Sequence, residues 1–189
     1  MILRSPEELE SLRNLILDKR NPNKACITIC SGPGCQAVGS AALTQAFITE
    51  LRNKNIDSQV DIKTTGCHGF CERGPITVIH PSGVFYQRVG TEDVEEIVSE
   101  TIVNNRIIDR LLYIDPATGK KITYEKDVPF YARQKRLILG SNSLVSPESI
   151  DDYIAIGGYS ALSKALFHID PEEIITQVIE SKLRGRGGG

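Results

Sequence analysis

Two close cysteine pairs constrain this chain more than any other feature. They read Cys30-Ser-Gly-Pro-Gly-Cys35 and Cys67-His-Gly-Phe-Cys71, a C-x4-C…C-x3-C pattern. Each pair sits in a glycine-rich loop just after a strand-like run, residues 25–29 for the first and 59–63 for the second. A fold that uses all four thiols must bring the ends of those two strands together. Thiolates gathered from two loops bind zinc or an iron–sulfur cluster. Structural zinc sites favour tighter C-x2-C knuckles, often completed by His, and here the gaps are wider with only His68 inside a loop. The C-x4-C spacing matches the first pair of plant-type ferredoxins, where the loop wraps a two-iron core. A thiol redox pair is normally C-x-x-C. The residues favour iron–sulfur and leave zinc and thiol–disulfide exchange open. Gly32, Gly34, Gly66 and Gly69 are expected to let backbone approach the sulfurs and point N–H groups at them, which raises a cluster's reduction potential.

Bulk properties narrow the function classes. With 189 residues the chain fits one domain plus a smaller one. A net charge of -2 gives no reason to expect nucleic acid or an anionic membrane surface. The absence of Trp and an aromatic content of 6% disfavour a base-stacking platform. No apolar run approaches the roughly 18 residues of a membrane span, and the first residues lack the apolar core of a signal peptide. A cytoplasmic location without direct membrane insertion is expected. Five cysteines without a secretion signal then point to metal or redox chemistry rather than a disulfide framework.

Periodicity organises the rest. Ser5-Pro6-Glu7-Glu8 has the form of a capping box with proline at the first helical position, and Leu9, Leu12, Leu15 and Ile16 follow on one face. A second helix is expected over about 37–53 from Leu43, Phe47 and Leu51. Residues 76–80 and 84–87 read as two strands joined at Pro81-Ser82-Gly83, a hairpin. Thr91 opens a third helix carrying Val94, Ile97, Val98 and Ile102. The order α-β-α-β-β-β-α predicts an α/β, thioredoxin-like sandwich with an added N-terminal helix. The expected domains are 1–105 for the sandwich, 106–140 for a linker with a short hairpin around Asp115-Pro116-Ala117-Thr118-Gly119, and 141–189 for a small helical segment. Within that segment Ser146-Pro147-Glu148-Ser149 opens one helix, Gly157-Gly158 breaks it, and Asp170-Pro171-Glu172-Glu173 caps the last.

These residues carry a resemblance. Cys30-x4-Cys35…Cys67-His-Gly-Phe-Cys71-Glu-Arg-Gly-Pro75, with Gly83-Val-Phe-Tyr86 and Asp93-Val-Glu-Glu-Ile97-Val, resembles the thioredoxin-like [2Fe–2S] ferredoxin family, found in complex I and in NAD-linked hydrogenases and formate dehydrogenases. The second half is similar to the start of the large NADH-oxidising flavoprotein subunit of those complexes. Its marks are Pro129-Phe-Tyr-x-x-Gln134-x-Arg136, Asp152-Tyr-Ile154, Gly157-Gly-Tyr159-x-Ala-Leu162-x-Lys164 and Leu183-Arg-Gly-Arg-Gly-Gly-Gly189. The resemblance implies a [2Fe–2S] cluster on Cys30, Cys35, Cys67 and Cys71, and electron transfer within a NAD(P)H-linked oxidoreductase complex whose other subunits are the partners. It implies that Gly185, Arg186, Gly187, Gly188 and Gly189 open an FMN loop that functions only in a full-length chain. FMN, NAD(P) and a [4Fe–4S] cluster would belong to that longer protein, of which this chain is expected to be a fragment. Ser181-Lys182-Leu183 departs from the Ser-Gly-Leu usual before the loop. The alternative to redox function is a zinc-binding interaction module.

Other residues have blander expectations. Cys26 reads as a small buried hydrophobe. His68 reads as solvent-facing, or as a donor to cluster sulfur. Arg73 and Arg88 read as surface arginines whose charge would favour a reduced cluster. His80 and His168 read as surface residues, Tyr153 and Tyr159 as packing, and 92–100 as the wet face of a helix.

Overall fold

A computed structural model describes residues 2–185 and 187. The chain folds as two compact units, residues 21–149 and residues 1–20 with 150–189.

The larger unit is built on a four-stranded sheet in the order β2-β1-β3-β4. Strand β1 (Ala25–Cys30) runs parallel to β2 (Val60–Thr65), pairing Ala25 with Val60 and Cys30 with Thr65. Strand β3 (Thr77–His80) is antiparallel to β1 and to β4 (Val84–Tyr86). The expected hairpin forms at Pro81-Ser82-Gly83, where Gly83 takes φ 78° and donates to Ile79 O at 2.7 Å.

Alternation along the strands gives the sheet two buried faces. Ile27, Ile29, Ile79, Val84 and Tyr86 join Leu43, Phe47 and Leu51 of helix α3 (Ser40–Asn53) and Val94, Ile97 and Val98 in one core. The helix expected after Thr91 is present as a 3-10 turn (Thr91–Asp93), a helical turn α4 (Val94–Glu96) and a π-helix (Ile97–Val103). Cys30, Val78 and Phe85 face the other way, into a second core with Cys35, Ile76, Tyr113 and Val128. This is the mixed α/β, thioredoxin-like arrangement expected from the element order. The helix expected over 37–53 forms as α3, starting at Ser40; a separate short helix α2 (Pro33–Ala37) precedes it and carries Cys35, and Gly39 at φ 98° turns the chain from one into the other.

Residues 106–140, expected as a linker, bury Ile108, Leu111, Leu112, Tyr113 and Val128. Their hairpin pairs β5 (Tyr113–Ile114) with β6 (Lys121–Ile122). Phe85 N donates to Thr123 O at 2.8 Å and Gln87 N to Leu111 O at 3.0 Å, so this segment satisfies the outer edge of β4. An edge strand left bare would be a template for unwanted pairing.

The smaller unit holds helices α1 (Pro6–Asp18), α6 (Ile150–Ala155), α7 (Ser160–Phe167) and α8 (Pro171–Glu180). Leu9, Ile16 and Ile154 form its core, with Leu12 and Ala155 against them. The capping box of α1 is half formed: Ser5 Oγ accepts from Glu8 N at 3.3 Å, while the Glu8 carboxylate accepts from Arg4 N at 2.6 Å. Leu15, expected on the apolar face, is 49% exposed. Arg13 Nε donates to Ile154 O at 3.1 Å and its Nη2 to Ser160 Oγ at 2.6 Å. Arg20 pairs with Asp152 at 2.6 Å. Asp170 stands at the N-cap of α8, and its side chain makes no capping hydrogen bond. Tyr153 and Tyr159 pack edge to face, 5.0 Å between centroids. Among the described residues no helix is long and apolar enough to cross a membrane.

Candidate metal centre

The parallel pairing of β1 and β2 decides where the cysteines meet. Two adjacent parallel strands end at the same edge of a sheet, so the loops that follow them emerge side by side. Cys30 is the last residue of β1, opposite Thr65, the last of β2, and Ser31 N donates to Thr65 O at 2.9 Å. Cys35 follows on α2, Cys67 two residues after β2, and Cys71 opens a 3-10 turn (Cys71–Arg73).

Glycines let the two loops close on each other. A Cβ on Gly32 would stand 2.7 Å from Cys67 Cβ and 3.1 Å from Cys67 Sγ. One on Gly34 would stand 3.2 Å from Cys71 Sγ, and one on Gly74 would stand 2.6 Å from Cys35 Sγ. Any side chain at Gly32 or Gly74 would overlap the sulfur cradle. Gly69 N donates to Cys67 Sγ at 3.3 Å, as expected of a glycine in these loops. Gly66 differs: its N–H goes to Val145 O at 3.3 Å, not to sulfur.

The sulfurs lie as two pairs. Cys67 Sγ and Cys71 Sγ are 3.7 Å apart, and the Cys30 and Cys35 side chains are hydrogen-bonded. Cys30 and Cys35 are buried, Cys67 is half-buried and Cys71 is exposed. The hydrogen bond from Cys35 lowers the Cys30 thiol to about 5, against the opposing effect of burial and with help from the His68 and Gly32 backbone. Cys35 is pushed up by the same bond and by burial, and Cys71 is raised first by its bond with Cys67. Cys30 thus loses its proton readily, the condition a thiolate ligand needs. Among the described residues no three His, Cys, Asp or Glu side chains gather closely enough to cage one metal ion. Two dithiol pairs across interlocked loops suit a core of two metals.

Around the thiols the structure places residues that spacing did not reveal. His68, expected at solvent, is 1% exposed. Its Nε2 is 2.8 Å from Thr65 Oγ1 and its Nδ1 is 3.0 Å from Glu125 Oε1. Thr65 Oγ1 donates to Ile29 O at 3.3 Å, so both ring nitrogens of His68 face acceptors. Phe70 stacks on Phe130 at 4.3 Å and 5°, and Tyr131 meets Phe70 and Phe85 edge-on, each at 6.0 Å. Phe130 and Tyr131 belong to helix α5 (Pro129–Ala132). Burial, then the charges of Glu125, Cys30 and Cys35, push the Tyr131 phenol far above its ordinary range, against Arg136, so it keeps its proton. Arg136 lies 5.7 Å over the Tyr131 ring. Asn142 Nδ2 donates to Cys67 O at 3.5 Å. The one sequence signal for this cover was the Pro129-Phe-Tyr string.

The remaining candidates lie as follows. Arg73 stacks 5.3 Å over Tyr113 and 6.0 Å over Phe70, while Arg88 is exposed with φ 50°. Cys26 is half-buried on β1. His80 is half-buried, its Nε2 3.3 Å from Thr28 Oγ1, and His168 is exposed. Of the expected FMN loop, a side chain at Gly185 or Gly187 would meet nothing within 4 Å among the described residues. Arg186, Gly188 and Gly189 lie outside the described residues.

A thioredoxin-like sheet with four thiols at the joint end of two parallel strands defines a class of iron–sulfur carrier. The family model for thioredoxin-like [2Fe-2S] ferredoxins matches residues 16–101. The 2Fe-2S ferredoxin of Clostridium pasteurianum is 40% identical over 77 residues, 41% of this chain and 76% of that protein. The chain belongs to the thioredoxin-like [2Fe–2S] ferredoxin family. Two longer proteins match in part. The HndC protein of the NADP-reducing hydrogenase of Solidesulfovibrio fructosivorans is 46% identical over 56 residues, 30% of this chain and 11% of that one. An NADH-quinone oxidoreductase subunit of Aquifex aeolicus is 62% identical over 40 residues, 21% of this chain and 9% of that one. The domain is a [2Fe–2S] electron carrier, and the zinc-module alternative falls with that membership.

Proposed function

We propose that Cys30, Cys35, Cys67 and Cys71 hold the cluster, one pair to each iron, and that the chain passes single electrons within a NAD(P)H-linked flavin and iron–sulfur oxidoreductase. The observation that carries the ligand set is the pairing of four thiols across loops kept open by Gly32, Gly34 and Gly74. The cluster supplies one-electron chemistry, and the protein supplies thiolates, N–H donors and burial. The similarity to part of an NADH-quinone oxidoreductase subunit and of an NADP-reducing hydrogenase subunit supports the setting, as does the flavoprotein-like string from Pro129 to Gly189. In this reading residues 21–105 carry the ferredoxin fold, 106–140 complete its core and lead onward, and 141–189 begin a flavoprotein domain. Gly185 to Gly189 then open an FMN loop in a protein that also carries the NAD(P) and [4Fe–4S] sites. Other subunits of the complex are the partners, and the cytoplasm is its place.

Iron, sulfide and the EPR of the reduced protein test the ligands. Serine at position 30, 35, 67 or 71 should abolish or strongly reduce cluster content, while Cys26→Ser keeps it. Loss in Cys26→Ser with retention in one of the other four would overturn the ligand set. The setting is tested by mixing oxidised protein with an NADH-reduced flavoprotein of this kind. The cluster absorbance should bleach faster than with NADH alone, and equal rates would remove the proposed complex.

A further inference from the structure

Tyr131 carries a buried polar atom with no partner. Its Oη is shielded from solvent and, among the described residues, makes no hydrogen bond. A hydroxyl stripped of water and left unpaired is costly, so such a group in a folded protein calls for an explanation. Its ring packs against the core that holds Cys30 and Cys35, and against Phe70 of the second cysteine loop and Phe85 of β4. The charges of Cys30 and Cys35 reach the phenol. Its position is fixed by edge-on packing with Phe130 at 5.2 Å and by the Arg136 guanidinium over the ring.

We propose that the Tyr131 hydroxyl donates a hydrogen bond to a sulfur of the bound cluster, so that Tyr131 is a positioning residue that sets the reduction potential. This rests on the four-cysteine ligand reading above. Reduction adds negative charge to the cluster, and a donor at sulfur favours the more negative state. The donor comes from a segment that follows the residues matched by the family model, 16–101. The potential would therefore be set partly by a segment outside the matched region, and a protein with only the matched residues would lack this donor.

The test compares the whole chain with Tyr131→Phe and Tyr124→Phe, each loaded with cluster and checked for iron and sulfide. Tyr131→Phe should lower the midpoint by a threefold to tenfold change in the reduction equilibrium, where tenfold is ~59 mV for one electron. It should also diminish the shift of the Fe–S stretching bands between H2O and D2O in resonance Raman. Tyr124→Phe removes an exposed phenol from the same segment and leaves the packing around Tyr131 alone, and it should leave both readouts near the original. An unchanged midpoint and isotope shift in Tyr131→Phe, or an equal effect in Tyr124→Phe, would overturn the proposal. Should Tyr131→Phe not take up a cluster, 3-fluorotyrosine placed at position 131 provides a stronger donor in nearly the same volume. It should raise the midpoint, and an unchanged value would overturn the proposal. Failure of the ligand reading is separate, because it appears as retained cluster in a cysteine variant.

Discussion

At the scale of single residues, the site depends on what is missing as much as on what is present. Gly32 and Gly74 lie where a methyl group would overlap cysteine atoms at 2.7 and 2.6 Å. Gly32→Ala and Gly74→Ala should each cost about 1–3 kcal/mol by overpacking and lower the iron bound per chain. Gly34→Ala, with its nearest contact at 3.1 Å, should do less. Iron analysis and denaturant unfolding of the three variants check that order. His80 supplies a pH dependence. Burial lowers its pKa, opposed by the charge of Glu125 and helped to a smaller degree by His68 and Lys63. A histidine harder to protonate in the folded state leaves the unfolded chain binding more protons near its ordinary pKa of ~6.5. Its contribution to stability is thus fully present above that value and is lost as pH falls through it toward the lower folded value. Apo-protein unfolding followed from pH 8 to 5 should show this loss, and His80→Gln should flatten it. An equal slope in both proteins would rule His80 out as the source.

At the scale of elements, the parallel β1–β2 pair and the segment after residue 105 do different work. The strand pair gathers the loops, and the later segment seals them with Val128, Phe130 and Tyr131. The N-terminal helix belongs elsewhere. It forms its core with Ile154, and Arg13 reaches the Ile154 carbonyl and Ser160. Leu9 is 7% exposed in that small core, and Leu→Ala at such sites costs about 2–5 kcal/mol. Leu9→Ala should therefore speed amide hydrogen exchange in α1 and α6 while leaving β1, β2 and β3 protected. Loss of protection in the sheet to the same degree would show that the two units unfold as one.

At the scale of the whole molecule, an all-cysteine ligand set predicts a low-potential carrier. The midpoint should fall near the roughly −400 mV of plant-type ferredoxins, lifted somewhat by donors such as Gly69 N–H. A redox titration followed by EPR measures it. A midpoint above zero would require histidine ligation or another cluster type.

The sequence by itself determined the cysteine pattern, the strand that precedes each pair and the element order of a thioredoxin-like sheet. These are local signals: spacing, alternation of apolar residues and glycine in the loops. It also marked the hairpin at Pro81-Ser82-Gly83 and the break at Gly157-Gly158. Only the tertiary structure decided which groups surround the sulfurs. His68 looked like a loop residue open to solvent, yet Glu125, distant in sequence, closes over it at 3.0 Å. The 106–140 segment looked like a linker because its apolar residues come in short, aperiodic runs, and it became core because the second face of the sheet was left to cover. The helix expected over 37–53 formed from Ser40 onward, while the short α2 before it, which carries Cys35, was not legible; Gly39, at φ 98°, makes the turn between them. Such outcomes depend on which surfaces meet in space, and periodicity along the chain carries no information about contacts between residues far apart in it.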